Sequence, residues 1–128
     1  MGKRQREKAK RRREENAARG PHASLKHLRI SPRKVRLVAD MIRGEPIEKA
    51  LNYLTFSPKR AAVPVKKLLN SALANADQRD DIDIDELVVK TIFVDEGSTW
   101  RRWLPRAMGR ATRLRKRHSH VTIELGEQ

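Results

Sequence analysis

The chain contains no cysteine, which removes disulfide staples, thiolate-bound metal and cysteine nucleophiles at one stroke. Aromatic residues are scarce, with two tryptophans, two phenylalanines and one tyrosine. No apolar run approaches the roughly 20 residues that a membrane-spanning helix needs, so no membrane span is encoded. The first residues lack the apolar segment of a secretory signal, and a reducing, cytoplasmic compartment is expected. Catalytic signatures are missing as well: no phosphate-cradling glycine loop, no nucleophile elbow, no carboxylate pair in an apolar setting. Neither an enzyme nor a cofactor is expected. One further absence is local: between Gly97 and Ile123 there is no acidic residue, against eight basic ones.

That local absence organises the charge. The net charge of +14 is spread unevenly over 128 residues. Residues 1–20 carry nine basic and three acidic side chains, residues 21–96 thirteen and eleven, and the last five residues two acids. A nearly neutral body therefore bears two cationic appendages. Charge segregated in this way repels itself unless a polyanion neutralises it, and a nucleic acid is the commonest such partner.

Residues 1–22 read as a basic N-terminal extension. Their composition favours helix locally, but they present no apolar face to a core, so they are expected to stay disordered until RNA orders them. Residues 23–128 form the folded unit. "ASLKHLRI" suits a short strand. In "SPRKVRLVADMIRG", Ser31 suits an N-cap, Pro32 the first helical position and Gly44 the stop, with Val35, Val38 and Ile42 striped at helical spacing. A second helix starts at Pro46 and carries Ile47, Ala50, Leu51 and Leu54 on one face. A third, capped by Ser57, runs from Pro58 to Ala76, with a kink expected near Pro64. "ELVVKTIFVDEG" is apolar on both faces and reads as a central strand over 87–96. Val121, Ile123 and Leu125 alternate with polar residues, as in a strand over 112–125 with one buried face. The expected fold class is α+β: three helices packed on a small antiparallel sheet, with a long protruding β-hairpin over about 87–125 and a basic N-terminal tail.

The connection between those last strands exceeds the two to five residues of an ordinary hairpin loop, and is rich in arginine rather than glycine or serine. Arg101, Arg102, Arg106, Arg110, Arg113, Arg115, Lys116 and Arg117 form its charge, with Trp100 and Trp103 among them. Arginine grips phosphate with a planar fork, and tryptophan stacks on bases or wedges into RNA cavities. Tryptophans folded back onto the core are the alternative, made awkward by their arginine and proline neighbours. Eight phosphate contacts would give a log–log salt slope of roughly −6 to −7. Arg33, Lys34 and Arg36 at a helix N-terminus could add phosphate contacts or form a solvated face. His118 and His120 share a strand face but lack the further ligands of a structural metal site. The acidic run Asp81, Asp83, Asp85, Glu86 lacks the glycine and spacing of a calcium loop and reads as a solvated linker.

The segments "ISPRKVRLVADMIRG", "ALANA", "IFVDEG" and "LPRAMGRATRLRKRHSHVTIEL", in this order and spacing, resemble bacterial large ribosomal subunit protein twenty-two over about residues 23–125. The resemblance implies a structural, cytoplasmic constituent of the large subunit. It would bind large-subunit ribosomal RNA, contribute to assembly and touch neighbouring ribosomal proteins. It would not be an independent homo-oligomer. The hairpin tip would line the nascent-polypeptide tunnel near the macrolide-binding region. By position, Trp100, Arg101, Arg102 and Trp103 would form that tip. Arg106, Met108, Gly109, Arg110, Arg113, Arg115, Lys116, Arg117 and His118, with Arg33, Lys34 and Arg36, would contact rRNA. The resemblance leaves out residues 1–20, and the tryptophans stand where smaller side chains are common. An architectural DNA-binding protein with a basic β-ribbon arm is the alternative, although such arms usually work in symmetric pairs.

Overall fold

Alternation of Val121, Ile123 and Leu125 dictates a strand with one buried face. In the computed structural model, which describes residues 2–79 and 82–127, that strand is the middle of the sheet. The elements are α1 (Gly2–Ala18), β1 (His22–Leu28), α2 (Pro32–Ile42), α3 (Ile47–Phe56), α4 (Ala62–Asp77), β2 (Leu87–Pro105) and β3 (Ala111–Glu127), with one 3-10 turn at Ala107–Gly109. The sheet is antiparallel in the order β1-β3-β2.

Helices α2, α3 and α4 close the core over one face of this sheet. Val35, Val38 and Ile42 of α2, Ile47 and Leu54 of α3, and Val65, Leu69 and Ala72 of α4 are buried against Val89, Ile92, Val121, Ile123 and Leu125. Each fully buried Leu or Ile side chain contributes about 1.5–3 kcal/mol, so the body draws its stability from these stripes.

Three expectations about the elements need correction. The strand beginning at Leu87 was expected at the centre of the sheet and lies at its edge. Its apolar composition survives there because its free edge is covered. Gly44 N–H donates to Val89 O at 2.9 Å and Val89 N–H to Glu45 O at 3.0 Å. Arg36 Nη2 donates to Val94 O and Arg43 Nη2 to Ile92 O, each at 3.0 Å. Second, the third helix of the body starts at Ala62 rather than Pro58, which puts Pro64 in its first turn. Amides there have no intrahelical acceptor, so the proline fits without the expected kink. Third, the described residues form four α-helices rather than three. The additional one, Gly2–Ala18, lies in the basic extension, with Gly2–Glu15 exposed. Its Lys, Arg, Glu, Gln and Ala content is that of a good helix former, even without a face to bury. Ser31 does precede α2, but the cap is made by its backbone carbonyl, which accepts from Lys34 N–H at 3.0 Å. Part of the acidic run, Asp81, lies outside the described residues.

Candidate nucleic-acid interface

Past Val94 and Ser119 the same two strands leave the helices behind and continue as a two-stranded ribbon. The register runs through Trp100↔Lys116, Arg101↔Arg115 and Trp103↔Arg113 to Pro105↔Ala111. Every residue from Trp100 to Arg117 is exposed. The connecting residues that looked too numerous for a loop are thus mostly strand.

The ribbon is hinged to the body at a bulge between Glu96 and Thr99. Gly97 sits there against the backbone of His118, where an added Cβ would stand 3.1 Å from the His118 carbonyl carbon, so a side chain would need the neighbouring backbone to give by a few tenths of an ångström. His118 is buried, and its Nδ1–H donates to Ser98 O at 2.9 Å. Its ring lies 5.0 Å from that of Trp100, and the Arg29 guanidinium covers the indole at 4.5 Å. Farther out, Arg113 stands 5.1 Å over the ring of its strand partner Trp103. The two tryptophans are therefore platforms that hold guanidinium groups in place, each such contact worth about 0.5–1 kcal/mol at an exposed site. Trp103 keeps 63% of its surface accessible and can still stack on a base.

The chain reverses at Arg106–Arg110, not at Trp100–Trp103 as expected. Arg106 N–H donates to Arg110 O at 2.7 Å. Met108 and Gly109 adopt left-handed conformations with φ of 61° and 68°. Glycine tolerates that region freely, while Met108 carries a side chain into it and is 94% exposed. Met108, Gly109, Arg106 and Arg110, expected on the arms, form the turn. Trp100, Arg101, Arg102 and Trp103, expected at the tip, lie along β2.

A concave cleft of about 710 Å³ opens at the foot of the ribbon, between it, the N-terminus of α2 and the α3–α4 connection. Arg29, Lys34, Lys59, Arg60, Arg102, Arg115, Lys116 and Arg117 line it, with Ile30, Leu37 and Trp100 as its apolar wall. Among the described residues no acid lines it. Of the residues singled out from sequence, the cleft gathers Lys34, Trp100, Arg102, Arg115, Lys116, Arg117 and His118. It leaves Arg101, Trp103 and Arg113 on the ribbon and Arg33 exposed on α2. Arg36, expected to contact RNA, is exposed on α2 and donates one Nη2–H to Val94 O at the sheet edge. Buried His118 packs beside Trp100, their rings tilted with centroids 5.0 Å apart. Arg29, Lys59 and Arg60 were missed. They join the cleft only because β1 ends, and α4 begins, beside the ribbon.

The electrostatics point one way. Arg101 is directly opposite Arg115, a like-charge pairing that destabilises an isolated ribbon. A two-stranded ribbon without packing is marginal in water to begin with. This arrangement defines a class: an α+β body carrying an acid-free arginine ribbon with a cationic cleft at its base, shaped to hold closely spaced phosphates.

The sequence pattern of the family described as Ribosomal protein L22p/L17e matches residues 23–126, and the chain belongs to that family. It is 57% identical over 111 residues to the large ribosomal subunit protein uL22 of an Anaeromyxobacter species, covering 86% of this chain and 77% of that protein. It is 56% identical over 105 residues to the protein of the same name from Maridesulfovibrio salexigens, covering 82% and 96%. With its counterpart from Oleidesulfovibrio alaskensis the identity is 51% over 105 residues, covering 82% and 96%.

Proposed function

We propose that this chain is a non-catalytic structural constituent of the large ribosomal subunit, in the cytoplasm, which binds large-subunit ribosomal RNA and contributes to subunit assembly. The observation that carries this reading is the ribbon: eight cations without an acid, exposed on both faces, with Arg101 set against Arg115. Such a structure is held far better between RNA phosphates than in water. The cleft and the ribbon arms make the rRNA contacts, through Arg29, Lys34, Lys59, Arg60, Arg102, Arg113, Arg115, Lys116 and Arg117. Trp100 and Trp103 brace them. Neighbouring ribosomal proteins are further partners.

The tunnel-lining role goes with the turn. Met108, flanked by Arg106 and Arg110, is the residue we assign to the wall of the nascent-polypeptide tunnel near the macrolide-binding region, in place of Trp100–Trp103. Sedimentation of a lysate through sucrose in high magnesium tests the main reading. The chain is expected with the large subunits, and recovery in the free or DNA-bound fractions would overturn it. Removal of Ala107–Gly109 with a short turn in their place tests the finer one. Incorporation should persist while nascent-chain passage or macrolide response changes, and an unchanged response would refute the tip assignment.

A further inference from the structure

We propose that α1 is a second RNA-binding element, which lies in a locally widened deep groove of an RNA duplex and reaches RNA separate from that held by the ribbon. This rests on the ribosomal reading above. Family membership assigns α1 no role, because the family pattern begins at residue 23 and α1 ends at Ala18. In the Maridesulfovibrio and Oleidesulfovibrio relatives, 105 matched residues already cover 96% of the protein, leaving little to correspond to it.

A 17-residue helix that is polar all round does not hold itself together well in water, and α1 has no apolar stripe. Its C-terminal end is tied to the body: Arg79 Nη1 donates to Arg19 O at 3.2 Å, and Arg19 lies 4.0 Å from Glu124. The rest, Gly2–Glu15, stands exposed.

The charge on α1 is arranged in rows. At 3.6 residues per turn, Arg6, Lys10 and Arg13 align in one row and Lys8 and Arg12 in another, with Gln5 and Ala9 between them. Glu7 and Glu15 lie on the opposite side, each four residues from Arg11, so the charge of that side is mixed. Glu14 borders the first row, 3.8 Å from Lys10 in an exposed pair of little worth. Two cationic rows flanking a small neutral strip suit a groove with phosphates on both walls. A helix about 10–12 Å across needs that groove opened, as a bulge or internal loop in RNA does, and arginine-rich segments fold on such sites. A membrane is a poorer match, since α1 has no apolar side to insert.

The sheet separates this element from the ribbon. The extension enters beside His22↔Glu124, whereas the turn follows Pro105↔Ala111. The length of β3 between Ala111 and Glu124, at about 3.3 Å per residue, sets the two ends about 40 Å apart. Two cationic limbs so spaced engage two RNA segments and raise overall affinity by effective concentration.

The test compares two double variants of the full chain that lose the same charge. Their binding is measured against a labelled RNA duplex of about 20 base pairs with a three-nucleotide bulge, across a salt series. Arg6→Ala with Arg13→Ala should weaken binding by about tenfold and reduce the salt slope by about 1.5–1.8. Arg4→Ala with Arg11→Ala should change it by less than about twofold. Helix content by circular dichroism should hold in both, since alanine is the strongest helix former. Equal weakening by both pairs, equally tight binding to unbulged RNA or duplex DNA, or no effect of either pair would overturn the proposal. Footprints on large-subunit rRNA separate the two claims. Removing residues 2–18 should expose one protected segment and leave the ribbon's protection in place. Identical footprints would sink the α1 proposal alone, whereas no protection by the full chain would sink the ribosomal reading as well.

Discussion

Strands β2 and β3 each run through two environments, and the contrast between their inner and outer halves shows what holds this protein together. From Leu87 to Val94 and from Ser119 to Leu125 the strands alternate buried and accessible residues under α2 and α4. From Trp100 to Arg117 the backbone pairing is the same, but both faces are exposed. Cross-strand hydrogen bonding is thus common to both halves and cannot be what distinguishes them. The inner half is stabilised by apolar burial within the chain. The outer half is stabilised only slightly from within, by the Arg113–Trp103 and Arg29–Trp100 stacks, and opposed by the Arg101–Arg115 pairing. Negative charge placed against it would relieve that repulsion.

The largest expected effect breaks the inner half. Leu69→Ala removes a wholly buried side chain under the sheet and should cost about 2–5 kcal/mol in denaturant unfolding of the full chain. Leu114→Ala on the ribbon should cost less than about 0.5 kcal/mol. Similar losses at the two sites would erase the distinction.

Next comes the covered edge. Arg36→Ala or Arg43→Ala leaves Val94 O or Ile92 O without its donor and should cost about 1–2 kcal/mol each, with greater self-association as the edge opens. Neighbouring Arg33→Ala should leave the unfolding midpoint where it was. A neutral Arg36 variant with weakened RNA binding would return that residue to the nucleic-acid interface.

At the junction of the halves, Ser119 Oγ donates to Ile30 O at 3.0 Å in a buried setting. Ser119→Ala should cost about 1 kcal/mol by the same assay. The smallest effect on stability is the most diagnostic in sign. Arg115→Glu converts the pairing with Arg101 from like to opposite charge and should stabilise the isolated protein by about 0.2–0.5 kcal/mol, while weakening rRNA affinity by about tenfold. Stabilisation accompanied by undiminished RNA binding would show that the ribbon's charge serves something else.

Much of this was legible in order. Ser31-Pro32, Val35, Val38 and Ile42 announce α2, and Val121, Ile123 and Leu125 announce β3, because a helix or strand with one buried face must repeat with its own period. The concentration of cations in residues 97–123 was visible without any structure. The position of the turn was not. Where neither strand face is buried, hydrophobic alternation no longer records register, and a bulge at Glu96–Thr99 shifts it again. The glycine in "RAMGRA" was the one sequence mark of the left-handed turn. Arg36 was read by its charge and its helical face, and neither discloses the carbonyl across from it. The edge position of β2 was hidden because a strand covered by arginines and an adjoining segment looks, in composition, like a central one.

The sequence by itself determined the phases of helices and strands, the neutral body and the two cationic limbs, because period and charge are local properties of the chain. Only the tertiary structure decided which groups each arginine meets. Arg36 and Arg43 are drawn to the carbonyls of an edge strand roughly fifty residues away. Arg29, Lys59 and Arg60 are brought to the ribbon from two distant connections. A guanidinium's role follows from which acceptors stand within hydrogen-bonding distance, and that distance exists only once the chain has packed.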